Sequence, residues 1–575
     1  MKIKKTKILS NYFFTIIFQV SLFFLFSQTA NAAVYNIGPG QTYETFSAFH
    51  TAVVPLAGDV IDGGNNVFFE QLSVNADGIS GLPIIYQNFK MTGAVTLGSW
   101  TDSGVNGEYY IEIPLDIYGT RMVYAFIKNG MLVNHRLEDV SVGNLLSGEW
   151  TKDTATSRIY YKPDDGLGHV FEAATGDLVM VNGHDYVKFE NLQIYGGTNG
   201  IKSNTSINKS YGLEITNCAI SNMWGHGIQI YSSDGMYIHD NDLQYLQKGG
   251  VKVGGVVAGP DKTGDNVRVE ANTFYRISWA NAEYLSEGHS IDIMPYSNTS
   301  IIKKNIFREN GYIGGYQYSE VDIGLAPLDF PRTCGKNVST DGVDNTTVTE
   351  NYFIDNWNGG IENGPDLNYK GSVALITKNI FENNGRASST PTAEHRLRQI
   401  STKNDLGGNL DMALLIANNT FVGNRGSAGN PSNGAGNIYL GGLGVISGIT
   451  IENNLHYNNL NKFDFRVSTQ NGTVSFAADN NLYWSDVAGD RMFIGPNTGY
   501  LAYPVTNSFE AFMATNNATN DLQVDPLFVS AVDFHLTASS PARYAGSGGG
   551  DIGAYEYQIP PDIVAPGMPS GVSVE

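Results

Sequence analysis

Acidic residues recur at one position of a short repeated segment, where closely spaced carboxyl groups could carry out acid–base chemistry. Six segments share an apolar third and a polar fourth residue: "NGIKS" at 199–203, "HGIQI" at 226–230, "GGVKV" at 249–253, "HSIDI" at 289–293, "SEVDI" at 319–323 and "GGIEN" at 359–363. If each segment is a β-strand, its third residue faces a core and its fourth faces outward. The fourth residues then form an outward column of Lys202, Gln229, Lys252, Asp292, Asp322 and Glu362.

The last three members of this column are predicted to be catalytic: Asp292, Asp322 and Glu362, in consecutive rungs about 4.8 Å apart. Glu320, two residues before Asp322, adds an acid to the same face. Like charges this close raise one pKa unless a cation, a shared proton or a substrate compensates, which makes the cluster a functional candidate. A glycosidase holds its two carboxyl groups about 5–5.5 Å apart for retention and about 6.5–9.5 Å apart for inversion. Asp292 with Asp322 fits the first spacing, and Asp292 with Glu362 fits the second.

Four further residues are predicted to support catalysis or bind substrate. His226 and His289 hold equivalent places in their segments, Lys252 precedes Asp292 by one rung, and Arg398 in "HRLRQI" is expected one rung beyond Glu362. Structural hydrogen bonding and simple charge pairing are the competing interpretations of these residues. The competing interpretation of the acids is an ordinary polar face of an acidic protein.

The elements that position these residues are indicated by an internal repeat. An apolar residue, an asparagine and a small or apolar pair recur with a minimum spacing in the mid-twenties, as in "ITNCAIS", "VEANTFYRI", "IKKNIFREN" and "ITKNIFENN". The asparagines in register are Asn191, Asn217, Asn241, Asn272, Asn305, Asn351, Asn379, Asn419, Asn454 and Asn481. Such a period with variable insertions predicts a solenoid whose loops lie on one side. At least eight coils are expected between residues 176 and 485, with Asn217, Asn241, Asn272 and Asn305 stacked at one turn.

This pattern resembles the right-handed parallel β-helix proteins of the pectate-lyase-like superfamily, whose coils carry three short strands and an asparagine ladder. The resemblance implies an all-β solenoid with an inserted β-rich subdomain near its N-terminus. The implied divisions are a signal peptide at 1–32, a cap and first coils at 33–92, the inserted subdomain at 93–166, coils at 167–485, a C-terminal closure at 486–558, and a linker to a truncated fibronectin type III module at 559–575. That superfamily includes hydrolases, lyases and surface proteins, so fold alone does not decide the reaction.

Localisation and partners follow from the leader and the charge. Lysines, an apolar run and the tail "TANAA" predict a cleaved secretory signal and hence a secreted protein with no membrane span. The net charge of −21 argues against nucleic acid as a partner. The two cysteines do not form a disulfide framework, and Cys218 is expected to be a buried free thiol. The protein is predicted to be a monomer.

Three functions remain open from the sequence. The preferred one is a glycoside hydrolase that cleaves a polysaccharide in a groove along the solenoid. The second is a polysaccharide lyase, in which Ca²⁺ bridges the acids to a substrate carboxylate and Lys252 or Arg398 is the base. The third is a non-catalytic glycan-binding or adhesive protein. Ca²⁺ belongs to the lyase alternative, and no other cofactor is indicated.

Overall fold

The fold is described from a computed structural model of the chain. The described residues are 32–133, 142–203, 209–254, 264–277, 289–293, 297–311, 337–339, 343–357, 359–363, 373–385, 399–404, 410–424, 436–442, 445–459, 463–469, 474–486, 492–496, 509–516 and 518–554.

Parallel strands stack into three long sheets that run side by side along the solenoid. Two long strands, Ile84–Thr92 and Val187–Gly197, each pass through both the first and the second sheet. The other strands of the first sheet are Val34–Asn36, Val60–Asp62, Glu214–Thr216, Tyr237–His239, Val267–Glu270, Asn298–Lys303, Asp344–Thr349, Val373–Thr377, Leu410–Ala417, Ile446–Glu452 and Val474–Asp479. The others of the second sheet are Val67–Phe68, Ala219–Met223, Asp242–Leu246, Thr273–Ile277, Ile306–Arg308, Tyr352–Ile354, Ile380–Glu382, Thr420–Val422, Leu455–Tyr457 and Leu482–Trp484.

The third sheet has 12 strands and carries the residues that the sequence singles out. Its strands are Leu72–Ser73, Asp177–Met180, Asn199–Lys202, His226–Ile230, Gly249–Val253, Ile291–Ile293, Val338–Ser339, Ile361–Asn363, Ile400–Asn404, Gly436–Gly442, Phe463–Thr469 and Met492–Pro496. Each strand pairs in parallel with the strand of the next coil. The described strands therefore build a parallel β-helix, as the repeat predicts, with more than eight coils.

Inward residues of the three sheets share one apolar core. Ile201, Ile228, Val251 and Ile291 are fully buried at one register position of the third sheet. On the second sheet an aromatic ring stack passes through Phe274, Phe307, Phe353, Phe381 and Phe421, with centroids 4.6–5.0 Å apart and nearly parallel planes. Burying a side chain of this size contributes roughly 1.5–3 kcal/mol, so each coil is stabilised chiefly by stacking on its neighbours.

An asparagine ladder joins the first and second sheets, and its members are fully or nearly fully buried. The ladder consists of Asn241, Asn272, Asn305, Asn351, Asn379, Asn419, Asn454 and Asn481. Each donates its side-chain amide to the side-chain oxygen of the next ladder asparagine or, at Asn481, to Asp521. The ladder satisfies backbone groups at the turn that would otherwise be buried without partners.

The predicted place of Asn217 in the ladder is wrong, and Asn191 also lies outside it. In each turn a residue with positive φ precedes the ladder residue, and Asn191 and Asn217 occupy that position with φ of 55° and 53°. Cys218 takes the ladder place, and its N–H donates to the Asn241 Oδ1 at 2.9 Å. Alignment on asparagine alone confuses the two positions because asparagine is favourable in both.

A second ladder lies between the second and third sheets, five residues after the first along each coil. It contains Asn310, Asn356, Asn384, Asn424 and Asn459, linked from side chain to side chain from Asn356 onward. The Asn310 N–H donates to the Asn356 Oδ1 at 3.0 Å, whereas the Asn310 side-chain amide donates to Asn337. The asparagines of this ladder are present in the repeated phrase, for example in "NIFREN". The two ladders flank five strands of the second sheet: Ile306–Arg308, Tyr352–Ile354, Ile380–Glu382, Thr420–Val422 and Leu455–Tyr457.

Antiparallel strands form a separate unit between the long strand Ile84–Thr92 and the strand Asp177–Met180. One sheet contains Ala94–Thr96, Ala125–Lys128, Met131–Leu132 and Phe171–Ala174. The other contains Thr101–Asp102, Tyr109–Glu112, Trp150–Asp153 and Arg158–Tyr161. We call this the antiparallel unit, and Trp150, Phe126 and Tyr161 lie in its own apolar core.

The remaining elements lie at the ends and edges of the solenoid. A small sheet contains Ser210–Tyr211, Ser233–Asp234 and Gly264–Asp265. The helix Phe46–Ala52 starts at Thr45, whose side chain accepts from the Ala48 N–H, and it buries Phe46 and Phe49 against the first coils. Toward the C-terminus lie the helix Phe509–Asn516, the strands Phe528–Ser530 and Asp533–Leu536, and the 3₁₀ turn Ser547–Gly549.

Candidate functional site

The outer face of the third sheet carries the candidate site, and strand pairing fixes its order. In register, Lys202 lies beside Gln229, Gln229 beside Lys252 and Lys252 beside Asp292. Up to Asp292 this is the column that the sequence predicts. The strand residues on either side of each member point into the core, because the pleat alternates faces.

Asp292 is held by an ion pair in the adjacent rung. Its Oδ2 lies 2.9 Å from the Lys252 Nζ, and the two side chains are only 13% and 16% exposed. Burial works to raise the pKa of the Asp292 carboxyl, but the charge of Lys252 and its hydrogen bond to the carboxylate oppose burial, and the pKa lies below its usual value. Asp292 is therefore a carboxylate at neutral pH.

His226 and His289 lie two rungs apart on this face, with Gly249 between them. His226 pairs in register with Gly249, and the Gly250 N–H donates to the His289 carbonyl oxygen at 3.1 Å. A Cβ at Gly249 would meet the His226 Cδ2 at 2.8 Å, so the imidazole ring leans over the glycine. Burial first and the neighbouring lysine charges second lower the pKa of His226 to about 3. His226 is therefore neutral at physiological pH.

Ser339 occupies the rung that follows Asp292. The prediction that this rung carries Asp322 is therefore wrong. Asp292 pairs in register with Ser339, and Ser339 pairs with Glu362. The insertion before this strand contains two strand-like segments, and alternation alone does not distinguish them. The second is selected by Asn337, a fully buried residue whose Oδ1 accepts from the Asn310 Nδ2 at 3.0 Å and from the Ser290 Oγ at 3.1 Å.

Glu362 lies two rungs from Asp292, as the sequence predicts. Two rungs correspond to about 9.5 Å along the sheet. Glu362 is partly buried, and Ser339 between the two acids has no carboxyl group. The consecutive run of three acids is thus replaced by two acids at a wider separation.

Three predicted site residues, Glu320, Asp322 and Arg398, lie outside the described residues. The rung beyond Glu362, where the sequence predicts Arg398, is occupied by Ser401. Residues 312–336 and 386–398, which belong to the insertions between these strands, also lie outside the described residues.

Asp177 and its partners form a second charged group on this face that the sequence analysis did not single out. The Lys202 Nζ lies 2.9 Å from the Asp177 Oδ2, and the Asn199 Nδ2 donates to the Asp177 Oδ1 at 2.7 Å. The Asn199 Oδ1 in turn accepts from the His226 N–H at 2.9 Å. The sequence feature that could have identified Asp177 is the strand-like segment "GDLVM" at 176–180, one coil before the first aligned segment.

The antiparallel unit contacts this end of the third sheet through aromatic residues. Tyr124 of the unit lies against Trp224, with ring centroids 5.1 Å apart. The Lys248 Nζ lies 3.7 Å from the Trp224 ring centroid, and the Lys152 Nζ lies 5.1 Å from that of Tyr124. These are cation–π contacts, which hold an ammonium group without neutralising it.

The described part of the chain contains neither a clustered set of metal ligands nor a membrane-spanning helix. Among those residues, no group of three or more His, Cys, Asp or Glu side chains is arranged to hold a metal ion. Over the same residues, no helix is long and apolar enough to cross a membrane.

Comparisons with known proteins gave matches only among solved structures. No protein-family model matches the sequence, and no curated protein matches it. A complex of XylC with xylose has a TM-score of 0.44 and 10% identity, covering 81% of this chain and 86% of that one. A protein described as a glycoside hydrolase has a TM-score of 0.43 and 10% identity, covering 78% and 96%. An alginate lyase from Paenibacillus sp. has a TM-score of 0.29 and 10% identity, covering 81% and 99%. These TM-scores are below 0.5, so the fold is assigned from the strand pairing of this chain itself.

Proposed function

We propose that this chain is a secreted, monomeric carbohydrate-active enzyme that hydrolyses a polysaccharide on the outer face of the third sheet, with inversion at the anomeric carbon. The observation that carries the proposal is the pair of acids two rungs apart, with Asp292 ionised and anchored by Lys252. Their strands are separated by about 9.5 Å, near the upper end of the range for carboxyl groups of inverting glycosidases. Retention through Asp292 and Asp322 in adjacent rungs has lost its support.

The lowered pKa of Asp292 supports different roles for the two acids. A carboxylate that remains ionised cannot supply the proton for the leaving-group oxygen, so Asp292 is the base that activates water. Glu362 is then the acid that protonates the glycosidic oxygen. Lys252 is a positioning residue, because its ion pair orients the Asp292 carboxylate.

The ion pair between Lys252 and Asp292 weakens the lyase alternative. A lyase base must lose its proton, but a carboxylate 2.9 Å away stabilises the charged ammonium form of Lys252. Arg398, the other base considered, lies outside the described residues. The lyase and the non-catalytic glycan-binding protein remain as outcomes of the experiment.

The proposal is tested by incubating the purified protein with a panel of neutral, uronic and sulfated polysaccharides. New reducing ends, with the first-formed anomer opposite to that of the substrate by NMR, are the expected result. Retained anomeric configuration would contradict the Asp292–Glu362 assignment. An unsaturated product abolished by chelator would establish the lyase, and binding without any cleavage would establish the non-catalytic alternative.

Variants in the two acids provide the matching test of roles. Asp292→Asn and Glu362→Gln should each lower kcat by about 100-fold or more. Glu270→Gln is a matched control, because Glu270 is 19% exposed and pairs with Arg268 at 2.8 Å on a different sheet. Full activity of the Asp292→Asn protein would remove this residue from the mechanism.

A further inference from the structure

Tyr118 is an aromatic side chain of the antiparallel unit that lies on the third sheet, at the start of the strand Asp177–Met180. Its hydroxyl accepts from the Asp177 N–H at 3.2 Å and from the Gln71 Nε2 at 2.7 Å. The same hydroxyl donates to the Asp177 carbonyl oxygen at 3.3 Å. These three hydrogen bonds fix the outer end of the ring to the first coils of the sheet.

The backbone around Tyr118 is also held in place. Asp116 is 6% exposed, and its Oδ1 accepts from the Tyr118 N–H at 2.9 Å and from the Thr120 N–H at 2.7 Å. Its Oδ2 accepts from the Thr120 Oγ1 at 2.7 Å. Ile117, between Asp116 and Tyr118, packs against the apolar core of the solenoid. A side chain ordered in this way loses less conformational entropy when it binds a ligand.

Gly176 makes room for this segment of the antiparallel unit. It has a φ of 89°, and a Cβ at this position would lie 2.5 Å from the Ile117 Cδ1 and 3.2 Å from the Tyr118 Cε2. A larger residue would strain the backbone there and displace the segment. The position of the Tyr118 ring therefore depends on a glycine in the solenoid.

The ring of Tyr118 remains open to solvent although both of its ends are held. Tyr118 is 51% exposed, and the nearby Leu115 and Met122 are 55% and 45% exposed. A fixed and open aromatic ring offers an apolar surface to a ligand, and the C–H face of a pyranose ring is complementary to it. The partly exposed side chains of Asp177 and Lys202 supply polar groups beside it for sugar hydroxyls.

The strand that Tyr118 contacts lies four rungs from the proposed catalytic pair. Met180 of that strand belongs to the same outward column as Asp292. The rungs between them are those of Lys202, Gln229 and Lys252. Four rungs correspond to about 19 Å along the solenoid axis. A polysaccharide extended along the sheet covers this distance with several sugar units.

We infer that Tyr118 is a stacking platform for a sugar ring of the polysaccharide that the Asp292–Glu362 pair cleaves, several units away from the scissile bond. The inference rests on the proposed function for the identity of the ligand. A platform this far from the acids acts only on chains that reach both places. The enzyme therefore cleaves within long chains and prefers them to short oligosaccharides.

Binding is measured by affinity electrophoresis in gels that contain soluble xylan, mixed-linkage β-glucan, polygalacturonate or dextran sulfate. The polymer that retards the wild-type protein is then used with the variants. Tyr118→Ala should weaken binding by about ten-fold, and Tyr118→Phe should bind better than Tyr118→Ala because the ring remains. The ratio between wild type and Tyr118→Ala should be the same at low and high salt, since the contact is not ionic.

Two further variants separate the platform from a general effect of removing an aromatic residue. Gly176→Ala leaves the tyrosine unchanged but displaces its segment, so binding should fall as it does in Tyr118→Ala. Tyr544→Ala is the matched control, because Tyr544 is 70% exposed and its N–H donates to Asp551 near the C-terminus. This control should bind like the wild type. Circular dichroism confirms that each variant is folded.

Substrate length tests the distance between Tyr118 and the acids. With the cleaved polysaccharide, the KM of Tyr118→Ala should be about ten-fold higher than that of the wild type. The difference should disappear with oligosaccharides too short to reach from Asp292 to Tyr118. A difference that persists with the shortest substrate would contradict a remote platform.

Failure of this inference is distinguishable from failure of the proposed function. Unchanged affinity in the Tyr118→Ala protein, no retardation by any of the four polymers, or release of single terminal sugars alone would each overturn the inference. Inverting cleavage with the same KM in the wild type and Tyr118→Ala would overturn it and leave the hydrolase intact. Binding that is lost in Tyr118→Ala, without cleavage by the wild type, would support the platform and contradict the hydrolase.

Discussion

At the scale of single residues, Asp292 and Lys252 form an ion pair between adjacent rungs, with both side chains largely buried. The outward direction of Asp292 and its place beside Lys252 follow from alternation, because a pleated strand alternates faces. The charge that lies nearest to Asp292 does not follow from this alternation. The like charges that the sequence predicts at Asp292 and Asp322 would make an Asp292→Asn variant as stable as the wild type or more so. The ion pair with Lys252 reverses that expectation.

We expect Asp292→Asn to destabilise the protein, because it leaves the Lys252 ammonium group largely buried without its carboxylate. Removing one partner of a buried ion pair costs about 3 kcal/mol. The free energy of unfolding is measured by urea denaturation at pH 7. In the double variant Asp292→Asn with Lys252→Gln, much of the loss should be recovered, since neither charge remains. An additive double variant would contradict the pairing.

The residue scale also shows why Asp322 could not be placed. Its segment and that of Ser339 lie in one insertion and have similar strand-like patterns, so periodicity gives them equal weight. Which of the two segments joins the third sheet depends on the hydrogen bonds that Asn337 accepts from Asn310 and Ser290. Such tertiary hydrogen bonds are invisible in a sequence repeat whose spacing varies.

At the scale of elements, the asparagine turns were predictable because their residue type is imposed by backbone hydrogen bonding. Most asparagines aligned from the repeat are members of the first ladder. The second ladder was overlooked, although its asparagines follow those of the first at a constant interval of five. Where insertions are absent, the alternation of side chains and the turn residues indicate the same strand and turn positions, so the sequence predicts the coil correctly.

Asn351→Ala should be strongly destabilising, because Asn351 is a fully buried ladder member. Its Oδ1 accepts from the Asn305 Nδ2 and its Nδ2 donates to the Ile302 carbonyl oxygen. Unsatisfied buried groups cost about 1–3 kcal/mol each, so we expect a loss of at least about 3 kcal/mol in thermal or urea unfolding.

Asn217→Gly is the control for this ladder prediction. Asn217 is exposed and has a positive φ, a conformation that glycine adopts without strain. The change should alter the free energy of unfolding by less than about 0.5 kcal/mol. Similar losses in the two variants would contradict the distinction between ladder and left-handed positions.

Cys218→Asn should extend the first ladder by one member. The Cys218 Sγ contacts the carbonyl oxygens of Thr216 at 3.2 Å and Phe189 at 3.8 Å. These are the carbonyls equivalent to those that accept from ladder asparagines, and the Asn241 Oδ1 already binds the Cys218 N–H. We expect unchanged or higher thermal stability, whereas Cys218→Ala should be less stable because it leaves a cavity.

The wild-type thiol gives an independent check of the same site. Burial raises the pKa of Cys218 to about 12, so the thiolate that reacts with disulfide reagents is almost absent at neutral pH. Cys218 should therefore be unreactive toward an aromatic disulfide reagent until the protein is unfolded. Rapid labelling of Cys218 in the native state, identified by peptide mapping, would contradict its burial.

At the scale of the whole molecule, the C-terminal end of the solenoid should make stability depend on pH. Asp521 ends the first ladder, where its Oδ1 accepts from the Asn481 N–H at 2.7 Å. Burial raises the pKa of Asp521 to about 7. Between about pH 4 and 7 the folded protein retains a proton that the unfolded chain releases, so stability decreases as pH rises through this range.

Asp521→Asn should remove this dependence, since asparagine presents the same acceptor without a titrating group. We expect the variant to match the wild type near pH 4 and to exceed it by up to about 4 kcal/mol at pH 8. Glu382, whose pKa is also raised by burial to about 7, remains in both proteins, so the difference between the two curves is the quantity to measure. A constant difference across the pH range would exclude a raised pKa at Asp521.

The register of the third sheet has a consequence for how such a site can change over evolution. Because side chains in one outward column are spaced by whole rungs of about 4.8 Å, the distance between two acids in it is quantised rather than continuously adjustable. Moving the acid from Glu362 to Ser339 would bring it one rung closer to Asp292, close to the separation of retaining enzymes. On this scaffold, stereochemistry would change in discrete steps, one coil at a time, with the backbone left in place.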